Sequence, residues 1–233
     1  MNNIIQTTGL EYYHSKGVKT LTDINLKIEK GQIYGFLGPN GAGKTTTLRL
    51  LLGLLRLQHG KIEIFGQDFQ AHRIEILKKV GSLIENPSLY GHLRANENLE
   101  VYREIYGASK ERLKEVLEIV GLENTGNKKV KQFSLGMKQR LSVALALLPS
   151  PELLILDEPA NGLDPTGIIE LRELVKKLNK EAGMTIIMSS HQLTEIEKMV
   201  SYVGIISKGE MIFQGTLKEL NDLQKNQNRL TIN

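Results

Sequence analysis

A mainly parallel α/β sheet flanked by helices is the fold predicted for this chain, on three observations. Short, continuous apolar runs recur at residues 33–37, 153–156, 185–188 and 203–206, as expected of strands covered on both faces. Segments with apolar residues at helical spacing fill the intervals, and such alternation marks a parallel sheet. The third observation is a glycine-rich turn, Gly38-Pro39-Asn40-Gly41-Ala42-Gly43-Lys44-Thr45, set between an apolar strand and a strong helix former.

Taken in order, the first part reads as short strands. Leu26 and Ile28 alternate with charge, and Gly31 turns the chain into the run 33–37. A helix is predicted over 45–55, ending before the polar turn Gln58-His59-Gly60. Ile62 and Ile64 alternate with Lys61 and Glu63, a half-buried strand that Gly66 ends. Residues 86–148 differ: 96–106, 110–120 and 137–148 all show helical spacing, which predicts a helical insertion within one domain spanning 1–233. Strands return at 153–156, 185–188 and 203–206, with helices at 167–181 and 194–199. The polar run 224–228 is expected to fray.

The totals narrow the function classes. At 233 residues, 40% hydrophobic and 24% charged, the chain has the balance of an ordinary soluble domain. It contains no cysteine, which excludes disulfides and thiolate metal sites and suits a reducing compartment. The net charge of +4 is small and spread along the chain, so nucleic acid is not an expected partner. No apolar stretch approaches the ~20 residues of a membrane span. Met1-Asn2-Asn3 opens without a basic or apolar leader. Any membrane work needs another chain to do the spanning.

The glycine-rich turn fits G-x-x-x-x-G-K-[ST] in full. Glycines let backbone N–H groups curl around an anion, and the positive end of the following helix points at the same place. Lys44 is placed to reach β- and γ-phosphates, the Thr45 hydroxyl to ligate Mg²⁺, and Thr46 to lie beside the α/β-phosphates.

A second constellation matches it. The apolar strand 153–156 ends in Asp157 and Glu158. Two adjacent carboxylates at a core edge are costly unless they have work there. Beside a magnesium nucleotide, Asp157 would hold the ion and Glu158 would orient and polarise the attacking water. The reverse assignment is disfavoured, because strand alternation aims adjacent side chains opposite ways.

Three further segments carry a family resemblance. Phe133-Ser134-Leu135-Gly136-Met137-Lys138-Gln139-Arg140 resembles the signature motif of ABC-type ATPases, usually L-S-G-G-Q followed by x-Q-R. Glu158-Pro159-Ala160-Asn161-Gly162-Leu163-Asp164-Pro165 is similar to that family's D-loop, and Ser189-Ser190-His191 to its switch histidine. The resemblance runs from about residue 4 to 220. It implies a P-loop NTPase (RecA-like) core, an N-terminal antiparallel β subdomain and an inserted helical subdomain. It also implies ATP and Mg²⁺ as ligands and a sandwich dimer, with each ATP held between the phosphate loop of one subunit and Ser134 and Gly136 of the other. His191 would contact the γ-phosphate.

The chain departs from the family pattern in three places. Leu135 and Met137 replace the usual Gly and Gln, while Ser134 and Gly136 remain. Glu85 stands where a metal- or water-meeting glutamine is usual. The adenine-stacking aromatic is His14 or Tyr13, since Lys16-Gly17 blurs the register. Glu85 and the phrase 33–37 resemble ATPases of bacterial ABC-2 type exporters, nearest to those protecting against bacitracin or lantibiotics.

The resemblance therefore implies an ATP-hydrolysing transporter subunit at the inner face of the cell membrane. Its partners would be integral membrane chains and a second ATPase subunit, expected to be an identical copy. Pro87, Leu89 and Tyr90 would line a docking groove for a membrane chain. The alternatives are a soluble ABC-type ATPase acting on DNA or ribosomes, and a small-molecule kinase. The first lacks the expected long coiled coil or zinc module; the second has no use for Ser134 and Gly136.

Overall fold

The computed structural model describes residues 3–15, 17–84 and 89–230, with side chains for 3–14, 17–84 and 89–223. Glu85, Pro87 and Lys16 lie outside the described residues.

Two sheets organise the chain. The first is antiparallel: β1 (Asn3–Ser15) pairs with β2 (Val18–Ile24), β3 (Lys27–Glu29) and β5 (His59–Ile64), and β5 pairs with β6 (Gln67–Asp68). The second contains β4 (Ile33–Leu37), β7 (Val80–Leu83), β8 (Leu153–Leu156), β9 (Thr185–Ser190), β10 (Tyr202–Ser207) and β11 (Glu210–Thr216). Its order is β11-β10-β4-β9-β8-β7, parallel throughout except for the antiparallel edge strand β11. The predicted α/β class and mainly parallel sheet are borne out.

The central strands are apolar without alternation because they serve two cores. Ile33 and Leu37 of β4 join one cluster, together with Leu154 and Leu156 of β8 and Ile186 and Met188 of β9. Tyr34, Phe36, Leu153, Ile155 and Ile187 point the other way, toward the antiparallel sheet and α1 (Lys44–Leu51). Each parity of the strand fills one side.

Among the described residues three α-helices lie between β7 and β8: α3 (Ala95–Tyr106), α4 (Lys110–Ile119) and α5 (Leu135–Leu147). Their buried faces, including Leu99, Leu113, Leu117 and Leu141, are continuous with the cluster under β8. The Arg112 guanidinium fastens α4 to α5 by donating to Leu147 O at 2.5 Å. After β8, α6 (Pro165–Ala182) starts at Asp164, whose carboxylate accepts from Gly167 N at 2.8 Å. A single turn, α7 (Leu193–Ile196), follows β9.

The structure differs from the expectation in several elements. β3 is a short strand as expected, but β1 runs for 13 residues. Gly9 (φ 60°) and register shifts break its alternation, which hides its length. The turn assigned to His59 and Gly60 belongs to β5. Residues Phe69–Leu77 form a helix, α2, started by Asp68. The run 224–228, expected to fray, lies within α8 (Leu217–Leu230), whose start is fixed by Glu219 accepting from Thr216 N at 2.7 Å.

Candidate nucleotide site

The carboxyl ends of β4, β9 and β8 lie side by side, where a parallel sheet places its ligands. In register, Leu37 sits beside Ser190, and Leu156 beside Met188. Three loops carrying polar groups therefore leave the sheet at one edge.

The loop after β4 is shaped by close approach. A Cβ on Gly38 would stand 2.3 Å from Ile206 O, so nothing larger fits. Gly43 has φ 109° at the cap of α1 and faces Leu21. Residues at the start of α1 have N–H groups without intrahelical acceptors, and these converge with the helix dipole on the cleft. The cleft, of about 370 Å³, is lined by His14, Thr20, Asn40, Lys44, Thr46 and Glu158 among others; its size is that of a small-molecule site.

Lys44 is buried (4% exposed) and fixed. Its ammonium donates to Gly38 O at 2.7 Å and to Pro39 O at 3.3 Å, and lies 3.2 Å from Glu158 Oε1. The Thr45 hydroxyl donates to Asp157 Oδ2 at 2.7 Å. Glu158 Oε2 is 3.2 Å from His191 Nδ1, and His191 Nε2 is 3.0 Å from Gln192 Nε2. Lys44, Thr45, Asp157, Glu158 and His191 are thus brought together from three loops.

Asp157 turns toward α1 while Leu156 faces the opposite core, as strand alternation requires. Glu158 leaves the strand in the left-handed region, φ 45°. That turn lets both acids reach one cleft although they are neighbours. A hydroxyl and a carboxylate side by side are oxygen donors suited to a hard cation that shares its shell with water and phosphate.

Other candidates fall elsewhere. Ser134 caps α5, its Oγ accepting from Met137 N at 3.2 Å, and it is exposed. Ser134 and Gly136 do not line the cleft around Lys44. Their neighbours Leu135 and Gln139 line a second cleft with Thr45, Asp157, Glu158 and Gly162. Gly41, Ala42 and Pro39 shape the first loop, with Pro39 O also accepting from Ala42 N. His14 reaches the cleft, whereas the Tyr13 ring packs edge-on to His59 and under Lys19.

The contacts of one named residue, and one further residue, escape the reading of the sequence. Ser189 is completely buried and touches both acids; a serine ending an otherwise apolar strand is the signal that marks it. Asn98, also completely buried, bonds Tyr90 N and O and Arg94 O at 2.8–3.1 Å. An unpaired buried amide would be costly, so this one fixes the loop entering α3.

A parallel sheet with a phosphate loop on its central strand and a carboxylate pair on the strand two places away defines a phosphate-loop nucleoside triphosphatase. The ABC transporter family model matches residues 21–161. With that match and these relatives, the chain belongs to the ABC transporter family, as an ATP-binding, ATP-hydrolysing subunit. It is 53% identical to the bacitracin transport ATP-binding protein BcrA of Bacillus licheniformis, over 91% of this chain and 69% of that protein. It is 46% identical to the lantibiotic transport ATP-binding protein SrtF of Streptococcus pyogenes, over 86% of each. Among solved structures, cbiO1 from Clostridium perfringens, part of the ABC transporter complex cbiONQ, matches with TM-score 0.87 at 26% identity, covering 100% of this chain and 96% of that one. A dimeric ATP-binding cassette holding ADP and phosphate after hydrolysis matches with TM-score 0.79 at 26% identity, covering 91% and 98%.

Proposed function

We propose that this chain powers the export of an antibiotic peptide of the bacitracin or lantibiotic kind, with two copies working on separate membrane-spanning chains. The observation that carries the reading is the convergence of Lys44, Thr45, Asp157, Glu158 and His191 on one cleft, in a chain 53% identical to a bacitracin transport subunit. No helix among the described residues is long and apolar enough to cross a membrane, so the spanning falls to other chains. The inner face of the cell membrane is the place where such a subunit meets both ATP and those chains.

The residues divide the work. The loop 38–46 binds the phosphates, with Lys44 countering charge on the β- and γ-groups. Thr45 and Asp157 would hold Mg²⁺, and the ion supplies neutralisation of phosphate oxygens when bound. Glu158 polarises the water that attacks the γ-phosphate, and His191 fixes that water and the γ-group. His14, rather than Tyr13, stacks on adenine, because it is His14 that lines the cleft. Ser134 and Gly136, at a helix N-terminus, bind the γ-phosphate held by the second copy. This completes each site from two subunits, and the dimeric cassette that this chain resembles supports it.

The helices α3 to α5 are the part that meets the membrane chain, with Leu89 and Tyr90 at the groove. Asn98 holds the Tyr90 backbone through both its N–H and its carbonyl. The test is affinity capture of the chain from detergent-solubilised membranes of its own host. Recovery of an integral membrane protein whose presence raises ATP turnover is expected. Capture without any membrane protein, with turnover raised instead by DNA or ribosomes, would refute the transport reading.

A further inference from the structure

We infer that Ser189 is a positioning residue for hydrolysis, holding Asp157 and Glu158 in place without touching the nucleotide itself. The inference rests on the reading of Asp157 and Glu158 given above, and it adds a third group behind them.

The geometry begins with the sheet. β8 and β9 are parallel and paired up to Leu156 and Met188, so Asp157 and Ser189 come next, on the face toward α1. There the ladder changes partners. The Asp157 amide donates to Leu83 O of β7 at 2.8 Å. The next amide, that of Glu158, is taken instead by the Ser189 hydroxyl oxygen at 2.8 Å. The same hydroxyl donates its proton to Asp157 Oδ1. One side chain therefore continues the sheet's bonding for one residue beyond the strand.

Three facts make this more than a satisfied core serine. Ser189 is 0% exposed, so water cannot replace its bonds, and both are made to the acid pair. Its donation to Oδ1 leaves Asp157 Oδ2 as the oxygen facing Thr45 at 2.7 Å, which fixes the carboxylate plane. Glu158 is a non-glycine residue at φ 45°, a conformation that must be held by its surroundings. The bond to its amide is the hold, and the direction of its side chain toward Lys44 and His191 follows from that turn.

Loss of the hydroxyl should thus loosen the acids and leave the phosphate loop alone. The informative pair is Ser189→Thr and Ser189→Val, whose side chains have the same shape and differ only in the hydroxyl. Turnover in the Thr variant is expected close to the parent's. The Val variant should lose roughly 10- to 100-fold in kcat, the weight of one hydrogen bond to a charged group, with KM and ADP affinity unchanged. Amide hydrogen exchange gives a second readout independent of activity. In the Val variant the Glu158 amide should exchange faster while the Asp157 amide, bonded to Leu83, stays protected. Equal kcat in the two variants, or unchanged Glu158 exchange, would overturn the role of Ser189. Glu158→Gln measured alongside separates the two claims. Normal turnover in that variant removes the catalytic reading of Glu158, whereas equal Thr and Val variants remove Ser189 alone.

Discussion

The Lys44 ammonium lies 3.2 Å from Glu158 Oε1, joining the glycine-rich loop after β4 to the carboxylate that follows β8. Lys44 is buried and Glu158 half-buried, with 23% of its side chain exposed, so this pair is shielded more than a surface ion pair. A phosphate entering beside Lys44 would share its charge with Glu158.

Replacing Lys44 with Ala should weaken nucleotide binding itself, by roughly 10- to 100-fold, as expected for the loss of a charged hydrogen-bond donor. Fluorescence titration with a labelled ATP analogue measures it. Affinity equal to the parent's would remove Lys44 from the phosphate site.

The two aromatic candidates at the cleft should separate cleanly. His14→Ala should reduce ATP affinity by roughly 2- to 10-fold, the scale of one ring-stacking contact. Tyr13→Ala should leave affinity alone, since its ring is engaged by His59 and Lys19. The opposite ranking in the same titration would assign adenine to Tyr13.

Much of this site was legible because its chemistry is contiguous. The eight residues 38–45 must sit together to wrap an anion, so their spacing survives in the sequence. Asp157 and Glu158 stand out as charge at the end of an apolar run. Ser189 is different, since it acts across the sheet and its partner is 32 residues away. Nothing in one strand reveals which strand lies beside it. The length of β1 was obscured for a related reason: it pairs with three other strands, and each pairing shifts register. Polar residues such as Thr7 then become buried by bonding to a neighbouring backbone, as Thr7 does to Ile24 O. Helices α3 to α5 were placed within two residues because helical spacing is local.

Asn98→Ala should destabilise the chain by about 1–3 kcal/mol, because it removes a buried amide's bonds to Tyr90 N and O and to Arg94 O. It should also weaken capture of the membrane chain more than ATP binding. Denaturant unfolding and the capture assay together decide this. A stability loss with undiminished capture would separate Asn98 from docking.

Tyr34 gives a pH signature. It is completely buried, and burial pushes its phenol well above the ordinary value of 10.0. Its hydroxyl donates to Gln214 Oε1 at 3.0 Å. Above about pH 10 the unfolded chain loses this proton while the folded chain keeps it. The folded state then holds more protons, so stability is complete below pH 10 and falls as pH rises past it. Tyr34→Phe should cost about 1 kcal/mol at pH 8 and flatten that decline. Unfolding curves from pH 8 to 11 that fall in parallel for both proteins would contradict the burial argument.

The central claim is that Glu158 drives hydrolysis in a site completed by a second copy. Sedimentation of Glu158→Gln with Mg²⁺ and ATP, set beside its turnover, tests it most directly. The account predicts intact ATP binding, turnover lower by roughly 10²–10⁴-fold, and a stable dimer that disperses when ADP replaces ATP. A variant that turns over at the parent rate, or one that binds ATP and stays monomeric, would contradict it.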